Sequence, residues 1–261
     1  MITSKLNAMV LQAGSPAIPG CFVVRRETEK GRNMNIVYAM TRNVYPQILP
    51  SLRSLMEHNP DAKVYILAED DEIPGLPCEA TVINVSGQRI FSPKTCVNYH
   101  NAFSYINLLK VAYPTLLPKL QKVIHLDIDT IICDDLTGLW KTPVTGKWFA
   151  ACPEYTGSYK PFGDIYYNMG VALINLQQMR KDKIEDAMVQ HLNEVSQPWA
   201  DQDAWNKYAI EQDKAAVLDV RYNENRMTGF TQDPAIVHFC SHADWWTNRT
   251  LYRHEYLDRY R

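Results

Sequence analysis

A chain of 261 residues, 46% hydrophobic and 21% charged, can bury a sizeable core as one large domain or two small ones, which excludes a disordered or fibrous class. The formal charge of −2 is spread over both halves, so there is no basic field for nucleic acid, and a small-molecule or carbohydrate partner is the better expectation. Six cysteines (Cys21, Cys78, Cys96, Cys133, Cys152, Cys240) lack CxxC spacing and read as free thiols of a reducing cytoplasm, not as zinc ligands or a disulfide framework.

Before Met34 the chain is poorly patterned. Asn7, Gln12, Pro16 and Pro19 interrupt the apolar patches that a signal peptide would need, and no run approaches the ~20 apolar residues of a membrane span. Residues 1–33 therefore read as an extension outside the fold of a cytoplasmic protein. The first convincing strand is Asn35 to Met40. Ile48, Leu49, Leu52, Leu55 and Met56 then recur at helical spacing, with Pro50 tolerable only in the first turn. Strand-like runs follow at Lys63 to Ala68 and Thr81 to Val85, then a helical pattern from about Asn98 to Tyr113, stopped by Pro114.

The apolar run Val123-Ile124-His125-Leu126 comes next and ends in Asp127-Ile128-Asp129-Thr130. Beyond Trp140 the texture changes to short strands and aromatic loops, with one amphipathic helix near Gln177 to Asn193. Strands alternating with helices predict an α/β fold with a mostly parallel, helix-covered sheet. The segment Leu251 to Arg261 mixes aromatic and basic residues; a docking helix is the expected reading, weak peripheral contact with a membrane the alternative.

The two aspartates emerge at the carboxyl edge of their strand, where open α/β sheets bind ligands. Two crowded carboxylates repel unless something compensates them, and a hard divalent cation with oxygen ligands does so. Alone, the pair also fits a solvated turn, or the DxDxT nucleophile of haloacid-dehalogenase-type phosphatases. That fold should carry the motif on its first strand, whereas at least three strand candidates precede it here.

In their order, four further motifs resemble glycosyltransferase family 8, the retaining enzymes that include bacterial lipooligosaccharide galactosyltransferases and glycogenin. They are Asn35 to Tyr45, Leu136 to Trp140, Tyr166 to Leu176 and Ala200 to Asn206, joined by Val237-His238-Phe239-Cys240; the resemblance covers about 34–250. It implies a GT-A fold, a single Rossmann-like domain with a mixed, mostly parallel sheet flanked by helices. It implies Mn²⁺, with Mg²⁺ as the alternative, held by Asp127, Asp129 and His238. The donor, UDP-glucose or UDP-galactose, would meet Ala39, Thr41, Asn43, Tyr45, Asp127, Ile128, Asn168 and Gly170. Asp201 would bind sugar hydroxyls, and Gln202 would sit under the anomeric carbon. Glu154 falls where the family has an aspartate near sugar and acceptor, and the aromatic loop Tyr155 to Tyr166 is a platform for a saccharide or glycolipid acceptor.

Two departures bear on activity. Where the family carries Tyr-x-Arg-Leu, this chain reads Tyr105-Ile106-Asn107-Leu108. Where it carries Gly-x-x-Lys-Pro-Trp, this chain reads Ser241-His242-Ala243-Asp244-Trp245-Trp246. The arginine contact to the donor is thus absent, and the lysine is replaced by Asp244 unless His242 or Arg249 substitutes for it, which keeps open a GT-A scaffold that binds a sugar nucleotide or glycan without transferring it.

Overall fold

The computed structural model describes residues 34–101, 103–155, 162–240 and 244–261, so the expected extension over 1–33 lies outside the described residues. In chain order the elements are β1 (Asn35–Ala39), α1 (Ile48–His58), β2 (Lys63–Ala68), β3 (Ala80–Asn84), α2 (Tyr105–Leu108), α3 (Tyr113–Leu116), β4 (Val123–Leu126), β5 (Thr130–Ile132) and α4 (Thr137–Trp140). They continue with β6 (Phe149–Pro153), β7 (Tyr167–Ile174), α5 (Leu176–Asp182), α6 (Ile184–Glu194), α7 (Asp201–Glu211), β8 (Ala215–Val217), β9 (Ile236–His238) and α8 (His254–Asp258). Seven strands form one sheet in the order β3-β2-β1-β4-β7-β6-β8, and β5 pairs with β9 in a second. Pairing is parallel from β3 to β4 and between β6 and β8, antiparallel where β7 meets β4 and β6.

The central strands lack hydrophobic alternation because both faces of the sheet are covered. Ile36, Tyr38, Ile124, Leu126, Val171 and Leu173 face the side where α1 packs through Ile48, Leu52 and Leu55. Val37, Val123, Phe149, Ala172 and Ile174 face the other side, with Met179, Met188, Leu192 and Trp205 from α5, α6 and α7. The intervening one-residue alternation is the strand period of two acting on residues that are all apolar.

Two expected helices are revised. Residues 98–101 and 103–104 are not helical: Asn98 Nδ2 donates to the carbonyls of Leu192 and Val195, and α2 begins only after Ser104, whose Oγ accepts from Ile106 N. Pro114 does not stop a helix but occupies the first turn of α3, where its missing N–H costs nothing. The single helix expected near Gln177–Asn193 is two, because Lys183 adopts a left-handed conformation with φ 53° between α5 and α6. In α1 Pro50 does fall in the first turn.

Register places the functional residues. Leu126 pairs with Val171, so Asp127, one step on, donates its N–H to Gly170 O at 2.7 Å. In the second sheet Thr130 pairs with His238, and Phe239 N donates to Asp129 O at 2.9 Å. The C-terminal segment docks on this second sheet: Leu257 and Tyr260 are buried with Ile131, Val237, Phe239 and Trp245, and Arg53 Nη1 donates to Tyr260 O at 2.9 Å. Among the described residues no helix is long and apolar enough to cross a membrane. Leu257→Ala is expected to lower the unfolding free energy by about 2–3 kcal/mol in urea titrations, the cost of a cavity in a closed cluster; a change below ~0.5 kcal/mol would mean that the segment is not docked in solution.

Candidate active site

The carboxyl ends of β1, β4 and β6 and the amino end of the antiparallel β7 open onto a cleft of about 710 Å³. Ala39, Thr41, Asn43, Asp127, Ile128, Asp129, Glu154, Asn168, Gly170, Asp201, Gln202 and His238 all line it. Tyr45 does not; its hydroxyl accepts from Glu69 N at 2.9 Å, beside the core under β1. Of the expected acceptor platform, residues 156–161 lie outside the described residues. Tyr155 is exposed, but Tyr166 is buried and donates to Asp203 Oδ1 at 2.6 Å, which removes it from a sugar-facing role.

Ligand atoms of Asp127, Asp129 and His238 lie within 4.8 Å of one another, and His238 Nε2 is 3.2 Å from Asp129 Oδ1. Two carboxylates and one imidazole suit a divalent cation such as Mn²⁺ or Mg²⁺. The close approach of β7 makes room for this cluster. A Cβ on Gly170 would overlap His238 Cε1 and stand 2.9 Å from Asp127 Oδ2, so only glycine lets strand, histidine and carboxylate share the space. His238 Nδ1 is held at 2.9 Å by Asn223 Oδ1, leaving Nε2 for the metal.

A continuous polar network leads away from the histidine. Asn223 Nδ2 donates to Asn168 Oδ1, Asn168 Nδ2 to Glu154 Oε1 at 2.8 Å, and Gln202 Nε2 to the same Glu154 oxygen at 3.2 Å. Gln202 Oε1 accepts from Met169 N at 2.9 Å. Asp201 is the first residue of α7. Ala200 is the cap, in a strained conformation (φ 52°, ψ −126°) that the surrounding structure must hold.

Two residues had no role in the sequence reading. Lys110, in the turn after α2, is 4% exposed and donates from Nζ to Asp127 Oδ1 at 2.9 Å, with Asp201 Oδ2 3.7 Å away. His125, buried in β4, stands 2.9 Å from the same Asp127 oxygen and 2.9 Å from Tyr113 Oη. A lone cation in Leu108-Leu109-Lys110-Val111-Ala112 and a lone imidazole in Val123-Ile124-His125-Leu126 are the available signals, since buried charged groups need partners. Asn223 carries no comparable signal.

Burial disfavours ionisation of Asp127, but Lys110 and His125 outweigh it and hold the carboxyl well below its usual range. Burial lowers His125 to about 4, helped by Lys110, so its imidazole is neutral. Burial raises Asp201 to about 7 against the pull of Lys110. Its Oδ2 has no hydrogen-bond partner, and Asp201 lines the cleft, which suits a carboxylate that receives a ligand hydroxyl.

A seven-stranded mixed sheet with a ligand-binding carboxyl edge and this acidic cluster define a GT-A fold. The galactosyltransferase LgtC, solved in complex with donor and acceptor sugar analogs, superposes with a TM-score of 0.65 at 22% identity, covering 87% of this chain and 94% of that one. The glycosyltransferase GlyE of Streptococcus pneumoniae TIGR4 gives 0.65 at 20% identity, over 88% of this chain and 60% of that one. The model of glycosyl transferase family 8 matches residues 35–250, and the chain belongs to that family. Among similar proteins, the glycosyltransferase GlyD of Streptococcus pneumoniae is 25% identical over 251 residues, which are 86% of this chain but only 30% of GlyD. General stress protein A of Bacillus subtilis is 25% identical over 62% of this chain and 67% of its own length.

Gly170→Ala is expected to abolish Mn²⁺ binding measured by calorimetry, since the added methyl displaces His238; retained affinity would contradict the packing. Asp201 binds its proton more tightly folded than unfolded, so between about pH 4 and 7 the folded metal-free protein holds more protons and loses stability as pH rises. Metal-free Asp201→Asn is therefore expected to be more stable than wild type at pH 8, by on the order of 1 kcal/mol, with the difference vanishing near pH 4 in denaturant unfolding.

Proposed function

We propose that the protein is a metal-dependent retaining hexosyltransferase that moves glucose or galactose from a UDP-sugar to a hydroxyl of a saccharide or glycolipid acceptor. The observation that carries this reading is the convergence of Asp127, Asp129 and His238 with Asp201, Gln202 and Asn168 around one cleft. When bound, the cation neutralises the diphosphate and makes UDP a better leaving group. Thr41 and Asn43, after β1, face the nucleoside end. Asp201 accepts from sugar hydroxyls. Asn168 and Gln202, both clamped by Glu154, orient the hexose.

The bond between the anomeric carbon and the diphosphate oxygen breaks, and UDP leaves with the electron pair. The acceptor hydroxyl oxygen bonds to the same carbon and its proton passes to the departing phosphate. Gln202 Oε1 is already engaged by Met169 N–H, which weakens it as a nucleophile and favours attack on the face that UDP leaves. Fixed hydrogen-bonded groups of this kind need no reorganisation during reaction. The phosphatase alternative is disfavoured because the motif follows the fourth strand, and the nearby acidic pair is engaged elsewhere, Asp134 with Arg221 and Asp135 with Thr137 N.

Purified protein with UDP-glucose or UDP-galactose and Mn²⁺ is expected to release UDP. EDTA or Asp129→Ala should reduce that release by about 100-fold or more. Tight UDP-sugar binding without release would support a non-catalytic binding module, and metal-dependent phosphate release from phosphomonoesters would support the phosphatase.

A further inference from the structure

Lys110 is enclosed at 4% exposure in an apolar turn, where an ammonium persists only if its charge is answered. Its neighbours are a carboxylate of the candidate metal cluster, Asp127 at 2.9 Å, and the carboxylate of Asp201 at 3.7 Å. Asp127 Oδ1 is occupied by Lys110 and His125, each at 2.9 Å, while Oδ2 turns toward His238 Nε2 at 4.0 Å. Asp201 Oδ2 has no hydrogen-bond partner, so its longer ion pair with Lys110 is the compensation it receives.

We propose that Lys110 is a positioning residue, a resident cation that presents only one oxygen of Asp127 to the metal, holds Asp201 in place at the cleft, and keeps metal affinity below what the carboxylates alone would give. The inference rests on the metal-dependent transferase reading. Lys110 places one positive charge beside the carboxylates that face the ion. Without it the site is more negative both around the ion and beside a leaving group that is itself anionic. Loss of Lys110 should therefore tighten metal binding and slow UDP departure. A residue needed only for folding would move both in the same, unfavourable direction.

The test is Lys110→Met, close in length and apolar, with Lys110→Gln in parallel in case the first fails to fold. Mn²⁺ binding is measured by calorimetry without sugar nucleotide, and UDP release by steady-state kinetics. The expected result is a Mn²⁺ Kd lowered about tenfold and kcat lowered about 100-fold with donor KM nearly unchanged, as for a charge removed close to the ion. Asn107 lines the same cleft three residues earlier, on the neighbouring turn, so Asn107→Arg in the Lys110→Met background should recover about tenfold in kcat and relax Mn²⁺ affinity. Unchanged or weaker Mn²⁺ binding in both Lys110 variants overturns the proposal. If wild type releases no UDP from any UDP-hexose, the transferase reading fails, while the Mn²⁺ comparison still decides the role of Lys110.

Discussion

Carboxylates crowded at the carboxyl end of β4 repel one another, and much of the surrounding architecture answers that repulsion. Asp127 is met by an ammonium, by a neutral imidazole and by a backbone tether to Gly170, and Asp129 by His238. These partners come from four places in the chain. They meet because the antiparallel entry of β7 brings a glycine against Asp127, and because β5 turns back to pair with β9, which carries the histidine. A larger residue at position 170 would keep them apart. The reversal of strand direction at β7 thus belongs to the site as much as to the sheet.

Beyond the acidic cluster, order is transmitted through amides rather than charges. The path from His238 through Asn223 and Asn168 to Glu154 and Gln202 satisfies donors that would otherwise be buried unpaired. Such a network is rigid when complete and costly when broken, because each group sits in a low-dielectric wall. It fixes the imidazole tautomer at one end and the amide of Gln202 at the other. Asn206 extends it by bridging the carbonyls of Tyr167 and Gln202, so α7 and β7 are locked together beneath the cleft.

The parts legible in the sequence were those whose signal is local. Lys63 to Ala68 is a strand as expected, and Asp127 and Asp129 leave β4 at its carboxyl edge as their apolar run implied. The misread parts depend on distant partners. Asn98 is held out of a helix by carbonyls 94 and 97 residues away, and a lysine at φ 53° breaks an otherwise continuous amphipathic pattern between α5 and α6. No periodicity encodes either. The entry into α7 had no local signal either, because the chain turns at Ala200 with strain that propensity scales do not register. Asn223 was invisible because an asparagine in a loop has no distinguishing context until His238 is folded against it.

The cationic departures from the family pattern have a structural counterpart. Arg249, one of two candidate substitutes, is 75% exposed, does not line the cleft and faces Asp258 at 3.9 Å; His242 lies outside the described residues. The cations that do line the cleft, among the described residues, are Lys110 from within the wall and Arg226 from the exposed lip. Lys110 is spent on two carboxylates, so it lowers the negative charge a diphosphate meets without itself being free to grip one. On the transferase reading, the charge of departing UDP then falls on the divalent ion and on whatever reaches in from the lip. An exposed arginine at the lip is hydrated and worth less per contact than an enclosed cation. On that reading the metal would carry a larger share of leaving-group stabilisation here than where an arginine and a lysine flank the phosphates, so the site's activity would turn on metal occupancy more than on donor affinity.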